Sequence, residues 1–280
     1  MKKNMLLGLM AGWIALSPLG TWAGASDYAR EKKWADEVLP GLVVGEPVYL
    51  QTPRGHHMFL ALFTPTDAGK AAIVVHGLGI HPDWGMTGTL RTELADRGFA
   101  TLSIQMPILA ADAKGEDYPP TFPEAAERIA EAVAFLKARG YQQIAIVSHS
   151  MGSRMSREYL AGKPDPAVKS WASLGISVGD YSALKLPVLD LYGDNDLPPV
   201  LANAGKRKQS LAARDSKQVM IARADHFFTG RRGGRVSESQ GLPADRHRLP
   251  QHGFAHEPRV PGRQTRSRGE VVGQPGHFGG

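Results

Sequence analysis

The feature that most constrains this chain is a run of four apolar residues, 144–147, which leads directly into Ser148-His149-Ser150-Met151-Gly152. A buried strand that turns sharply into a helix at such a pattern lifts the middle serine onto an exposed tip, where it can act as a nucleophile. The backbone of that turn is strained and crowded, so the positions two residues before and after the serine must be small. Ser148 and Gly152 meet this requirement, and we interpret Ser150 as a candidate nucleophile. The alternative is an ordinary buried strand followed by an N-capped helix.

Length, charge and cysteine content exclude several other classes of protein. A chain of 280 residues can form one α/β domain with a sizeable core. It contains no cysteine, which excludes a disulfide framework, a thiolate metal site and a cysteine nucleophile. The net charge is +6, but residues 231–280 alone hold 9 basic and 4 acidic residues. Because the rest of the chain is nearly neutral, the charge gives no reason to expect a nucleic acid as partner.

The N-terminus has the pattern of an export signal. Lys2 and Lys3 precede an apolar run over residues 5–16, and small residues follow around Ala23 and Ala25. The apolar run is shorter than the roughly 20 residues that span a bilayer. We therefore predict a cleaved signal peptide over residues 1–25, with cleavage near Ala23 or Ala25, and a periplasmic or secreted protein without a stable membrane anchor. A retained anchor is the less favoured alternative.

Strand and helix patterns alternate between residues 26 and 230. Residues 47–51 and 57–63 are predicted to form a β-hairpin, and the charged residues 26–40 a short helix or arm. Further strands are predicted at residues 71–76, 99–105, 144–147, 168–175, 186–192 and 218–222, and helices at 86–97, 123–139, 151–160 and 200–213. This order predicts an α/β domain over residues 26–230, with a mostly parallel sheet of about eight strands and helices on both faces.

The pattern stops at Gly230. Residues 231–280 contain nine arginines, no lysine and ten glycines, without helical or alternating periodicity. Such a composition favours a disordered tail that cannot bury enough apolar surface to fold. Two hypotheses remain open: a genuine basic tail that binds anionic surfaces, or a shift of reading frame near Gly230, which we prefer because one more helix is expected there.

A serine nucleophile needs a base and an acid that orients the base, and both are available. His226 follows the last predicted strand directly, where a loop can bring its imidazole over the edge of the sheet. Asp194 and Asp196 both follow the end of the preceding strand, where side chains point towards a site at the carboxyl edge. Alternatively, this Asp-rich segment is a turn that caps its own backbone. Asp190 and Asp225 are less favoured as the acid.

The oxyanion formed during acyl transfer needs two backbone N–H donors. The N–H of Met151, directly after the nucleophile, is one candidate. His76-Gly77-Leu78-Gly79 follows a predicted central strand, and its Leu78 N–H is the other candidate. The alternative is a simple glycine turn at a strand end. His81 and Trp84 either line the pocket or pack beneath it.

Together, four motifs resemble the α/β-hydrolase superfamily, in particular exported serine-hydrolase-like proteins of proteobacteria. They begin at His76, Ser148, Gly193 and Asp225. The resemblance implies hydrolysis of a small-molecule ester, thioester or amide through an acyl-enzyme, without metal or cofactor. Because the acid of this family stands three residues after the glycine, it favours Asp196 over Asp194. His76, Gly77, Gly79 and His149 are then expected to contribute to substrate binding.

Three departures from the family pattern are visible. Ser148 replaces a glycine, residues 175–186 are too few for a helical lid, and the helix expected after His226 is absent. The third departure bears on how firmly His226 is held, since an unsupported catalytic loop is poorly preorganised. The alternative function is a non-catalytic binding or scaffolding protein of the envelope that keeps the hydrolase fold.

Overall fold

The computed structural model describes residues 26–53 and 55–229. The predicted signal peptide and the tail at residues 231–280 lie outside this range. Within it, no helix is both long enough and apolar enough to cross a membrane.

Eight strands form one mixed sheet in the order β1-β2-β4-β3-β5-β6-β7-β8. The strands are Glu46–Gln51, Met58–Thr64, Lys70–Val75, Ala100–Ile104, Gln143–His149, Val168–Leu174, Val188–Asn195 and Lys217–Asp225. Strand β2 runs antiparallel to β1 and β4, and the remaining pairs are parallel. The prediction of a mostly parallel sheet of about eight strands is confirmed. So is the hairpin of β1 and β2.

Five α-helices connect or flank the strands. They are α1 Tyr28–Val38, α2 Gly85–Asp96, α3 Phe122–Ala138, α4 Met151–Ala161 and α5 Pro198–Gln209. Crossover connections between parallel strands are right-handed, and the connection through α2 runs along the sheet in the opposite direction to those through α3, α4 and α5. Helix α2 therefore lies on the opposite face of the sheet from the other three, as the prediction of helices on both faces requires.

The centre of the sheet forms the core because its strands are apolar on both sides. Strand β3 is buried from Ala71 to Val75, and β4 is buried over its full length. Helix α3 begins with a proline in its first turn and buries Ile129, Val133 and Leu136 against the sheet. This packing fixes the carboxyl ends of β3 and β5, where the candidate oxyanion loop and the candidate nucleophile lie.

The connection from β6 to β7, residues 175–187, contains no helix. The expectation that this segment is too short for a helical lid is therefore confirmed. The excursion after β4 is longer and irregular, with a single 3₁₀ turn at Pro119–Thr121.

Candidate active site

Ser150 stands at a strained turn between β5 and α4. Its φ is 53° and its ψ is −119°, a conformation that a non-glycine residue adopts only when its surroundings impose it. The surroundings are tight, because a Cβ added to Gly152 would lie 2.2 Å from the carbonyl oxygen of His76. Glycine at position 152 is thus required by the approach of α4 to the end of β3.

Ser148, which stands where the family has glycine, has a defined set of partners. Its Oγ accepts a hydrogen bond from the buried indole N–H of Trp171 at 2.7 Å and lies 3.2 Å from the Oγ of Ser153. The Ser153 Oγ in turn donates to the Ser148 carbonyl oxygen at 2.8 Å. A buried indole N–H without an acceptor would be costly, so the Ser148 hydroxyl satisfies a group that a glycine would leave unpaired.

The three residues expected to form a triad are linked by hydrogen bonds, from Ser150 to His226 and from His226 to Asp196. The Ser150 hydroxyl lies 2.9 Å from His226 Nε2, and His226 Nδ1 lies 2.6 Å from Asp196 Oδ1. With Nδ1–H donating to the carboxylate, Nε2 is free to accept the serine proton. All three groups lie at the carboxyl edge of the sheet, at the ends of β5, β7 and β8.

Asp196 is held as a carboxylate. Burial by itself would raise its pKa, but the hydrogen bond and charge of His226, together with the backbone N–H groups of Leu197 and Gly193, hold the pKa below its usual value. The Leu197 N–H donates to Oδ1 at 2.7 Å and the Gly193 N–H to Oδ2 at 3.4 Å. Asp196 therefore remains ionised at neutral pH and can orient the imidazole.

The other candidate acids lie elsewhere. Asp194 contacts the side-chain amide of Asn195 at 3.0 Å. Asp190 is fully buried and pairs with the Arg207 guanidinium at 3.0 Å. Asp225 accepts the N–H groups of Phe227 and Thr229 and so caps the turn that carries His226. Among these carboxylates, the structure places Asp196 against the histidine.

His149 does not have the position expected of a substrate-binding residue. Its ring is 3% exposed, donates from Nε2 to the carbonyl oxygen of His226 at 2.9 Å, and lies 4.7 Å from the His226 ring. Burial is the main cause that lowers the pKa of His149 to about 4, so the ring is neutral at pH 7. The expectation for its side chain was wrong: residue 149 precedes the tip of the turn and points inward, where it supports the His226 loop.

His76 is likewise an internal residue. It is fully buried, its Nδ1 lies 2.8 Å from the Gly77 carbonyl oxygen, and its Nε2 accepts the N–H of Met106 at 2.9 Å. Burial lowers its pKa to about 3, which keeps the ring neutral. The expectation of substrate contact by this side chain was wrong, because both nitrogens bind protein groups that join the loops after β3 and β4.

The backbone after β3 passes beside the nucleophile. A Cβ added to Gly77 would lie 3.4 Å from the Ser150 Cβ. Within the described residues, the Leu78 N–H donates no hydrogen bond. The Met151 N–H, at the start of α4, has no acceptor within its own helix. Both candidate donors are therefore free to receive an oxyanion.

Gly79 lies further from Ser150. Its φ is +69°, and a Cβ there would face Arg30 and the hydroxyl of Tyr118 at 3.7 Å and 3.9 Å. Its carbonyl oxygen accepts a hydrogen bond from Arg30 Nη2 at 3.1 Å. The positive φ of Gly79 thus sets the course of the loop after β3, and this loop contacts Arg30 of α1.

Helix α1 holds the site together in a way that the sequence patterns did not reveal. Arg30 joins the loops after β3 and β4, because its Nη1 also donates to the Leu109 carbonyl oxygen at 2.6 Å. Glu31 of the same helix is buried and pairs with Arg128 of α3 at 2.9 Å. The charged run over residues 26–40 predicts only a short helix or arm and does not indicate these contacts.

His81 and Trp84 both pack against other aromatic rings. His81 lies 5.0 Å from the Trp34 ring, and Trp84 lies 5.5 Å from the Phe227 ring, next to His226. Among the described residues, no group of three or more His, Asp or Glu side chains could hold a metal ion.

Comparisons with known proteins agree with this architecture. A family model described as a protein of unknown function, DUF3530, matches residues 48–126. A comparison with curated proteins finds no match.

Several solved structures are similar. One is a dienelactone hydrolase from Anabaena variabilis, 19% identical with a TM-score of 0.54, over 69% of this chain and 94% of that one. An esterase from Pyrococcus furiosus is 13% identical with a TM-score of 0.54, over 71% and 94%. An α/β serine hydrolase without a lid, from Xanthomonas campestris, is 16% identical with a TM-score of 0.52, over 72% and 97%. At these identities the likeness establishes the fold, and the chain has the α/β-hydrolase fold.

Proposed function

We propose that this protein is an exported serine hydrolase that cleaves a carboxylic ester, or a related thioester or amide, through an acyl-enzyme. The observation that carries the proposal is the hydrogen-bonded series from Ser150 through His226 to Asp196, with distances of 2.9 Å and 2.6 Å. Ser150 is exposed to attack by its strained turn, and two free backbone N–H groups lie beside it. The similarity of the fold to known hydrolases supports hydrolysis in general but does not identify a substrate.

The reaction follows from this geometry. Ser150 Oγ attacks the acyl carbon while His226 Nε2 takes its proton, and the negative charge on the carbonyl oxygen is stabilised by the N–H groups of Leu78 and Met151. The C–O bond to the alcohol then breaks as His226 returns the proton to the leaving group. Water repeats these steps on the acyl-enzyme and releases the acid. Asp196 keeps the imidazole in the required tautomer and stabilises its protonated form.

Labelling by a fluorophosphonate probe and hydrolysis of p-nitrophenyl esters test the proposal. The purified protein should be labelled, and Ser150→Ala should lose labelling and reduce turnover by a factor on the order of 10³ or more. Ser182→Ala is the matched control, because Ser182 is an exposed serine outside the site. A folded wild-type protein that is neither labelled nor active would contradict the proposal and favour a binding or scaffolding role.

Export is part of the proposal and has its own measurement. The pattern over residues 1–25 supports it, and the mass of the protein recovered from the envelope fraction should correspond to a chain that begins at Gly24 or Ser26. Recovery of the uncleaved chain from the cytoplasm would contradict export while leaving the proposed chemistry intact.

A further inference from the structure

Arg154 is partly buried and has no carboxylate partner, unlike the buried Arg91, Arg128 and Arg207. Arg128 pairs with Glu31 and Glu124, and Arg207 pairs with Asp190. Within the described chain, no carboxylate lies within 4.0 Å of Arg154. Asp112, Glu116 and Asp117 of the neighbouring loop are exposed and form no ion pair with it.

The hydrogen bonds of Arg154 are also incomplete. Its Nη1 makes one long contact, 3.4 Å, to the Gly115 carbonyl oxygen, and its Nε is shielded from solvent without a partner. Burial lowers the pKa of this guanidinium, and no opposing charge offsets the effect. A partly desolvated cation without a counter-charge is unfavourable, so the site is better suited to an anion than to the empty state.

Arg154 lies in the first turn of α4, four residues after Ser150, which precedes the helix as its N-cap. Side chains in helices lean towards the N-terminus, which here is the end that carries Ser150. The guanidinium stands 5.3 Å from the Phe122 ring centre and contacts Gly115.

Gly115 connects this guanidinium to the candidate oxyanion site. A Cβ added to Gly115 would lie 3.4 Å from Met151 Cε and 3.8 Å from Leu78 Cδ1. The side chains of the two residues that offer N–H donors thus border the same short stretch of backbone that Arg154 touches. A substrate whose carbonyl oxygen binds between those donors can place a second group near Arg154.

We propose that Arg154 binds a carboxylate of the substrate, and that the protein hydrolyses esters whose acyl part carries a negative charge. This inference rests on the proposed function. A guanidinium suits the role, because its planar N–H groups match the two oxygens of a carboxylate and keep their charge at any physiological pH. Phe122 covers one face of the guanidinium and limits its freedom.

A matched pair of esters tests the inference. Mono-p-nitrophenyl glutarate carries a terminal carboxylate, and p-nitrophenyl hexanoate is a neutral ester of similar length. The wild type should prefer the glutarate in kcat/KM. Arg154→Met should lower kcat/KM for the glutarate by about 10- to 100-fold, mainly through KM, because a charge-assisted hydrogen bond is lost. The ratio of kcat/KM for the glutarate to kcat/KM for the hexanoate should therefore fall. Arg154→Lys should keep part of the preference for the glutarate.

Arg157→Met is the matched control. Arg157 lies one turn further along α4, and its Nε donates to the Asp180 carbonyl oxygen at 3.0 Å, so this variant should keep the wild-type ratio. A wild type that hydrolyses both esters equally well would overturn the inference. So would an Arg154→Met variant that loses activity on both esters by the same factor, since that result indicates a structural role.

Failure of the proposed function is recognised separately. If the wild type hydrolyses neither ester and is not labelled by a fluorophosphonate, the proposed function fails. The anion site is then tested by the shift in Tm caused by monomethyl glutarate. A shift in the wild type that is lost in Arg154→Met supports the site, and equal shifts in both proteins, or none in either, refute it.

Discussion

The nucleophile Ser150 and His226 follow strands of one sheet that are buried to different extents. Strand β3, beside the nucleophile strand, is buried over five consecutive residues, and Ile73 is fully buried. Strand β8, which leads to His226, buries only Ala224 fully within its own length. On the face of β7 and β8 opposite α5, Leu189 and Val219 each remain 37% exposed. The nucleophile half is therefore packed on both faces, whereas β8 of the histidine half is largely exposed, with Met220 55% exposed as well.

The difference shows that the two halves are stabilised by different interactions. Close packing imposes the strained turn at Ser150, since α4 approaches the end of β3 so closely that only glycine fits at position 152. His226 is instead held by polar contacts to Asp196 and His149 and by the turn that Asp225 caps. We expect the histidine half to respond to the loss of single polar groups, and the nucleophile half to respond to changes of volume.

The largest expected effect concerns Asp196. Asp196→Asn should keep the fold but lower kcat by a factor on the order of 10⁴, because an amide cannot hold the same tautomer of His226 or stabilise its charged form. Steady-state hydrolysis of a p-nitrophenyl ester measures this effect.

Asp194→Asn provides the control in the same segment. Asp194 contacts Asn195 and not the histidine, so its substitution should change kcat by less than about threefold. Equal losses in the two variants, or a greater loss in Asp194→Asn, would show that the acid was assigned to the wrong residue.

The sequence patterns predicted the fold because they are local. Alternation and apolar runs identify strands, and glycine or proline at their ends marks the limits of helices. Ser150, Asp196 and His226 each follow a strand that is recognisable by itself, which is why the sequence predicts all three at the carboxyl edge of the sheet. The extension of β8 to Asp225, three residues beyond its predicted end, brings His226 directly to the end of that strand.

Contacts between distant segments could not be predicted in the same way. His76 and His149 were expected to bind substrate because they adjoin functional motifs, but the direction of a side chain at a strand end depends on what packs around it. Arg30 and Glu31 lie in a charged run that has no apolar periodicity, and they bind partners as far as 49 and 97 residues away. No pattern in the chain alone links such residues.

A second prediction concerns pH. His76 and His149 are buried and His81 is partly buried. Desolvation lowers the pKa of His76 from 6.5 to about 3, and the pKa values of His81 and His149 from 6.5 to about 4. When the protein unfolds below pH 6.5, these residues take up protons that the folded state does not bind. Their contribution is therefore fully present above pH 6.5 and is lost as the pH falls towards 4 and then 3.

Urea unfolding at several pH values between 7.5 and 4.5 measures this loss. The free energy of unfolding should fall with decreasing pH, and His149 alone should account for about 3 kcal/mol at its limit. His149→Phe should show a shallower dependence, and its kcat should fall by about tenfold because the His226 carbonyl oxygen loses its donor. An identical pH dependence in wild type and variant would contradict the assignment of a neutral, buried His149.

The smallest expected effect directly tests the difference in burial between the two halves of the sheet. Val74 of β3 is 1% exposed and Val219 of β8 is 37% exposed, so Val→Ala at the two sites removes the same atoms from the two halves. Both substitutions lower the β propensity of their strand by the same amount. Only the substitution at the buried Val74 leaves a cavity in the core. Val74→Ala should therefore cost about 2 kcal/mol more in the free energy of unfolding than Val219→Ala, which should cost less than about 1 kcal/mol. If the two variants are equally destabilised in the full-length protein, Val219 is buried in solution by a further segment or a partner, and the histidine half is packed on both faces after all.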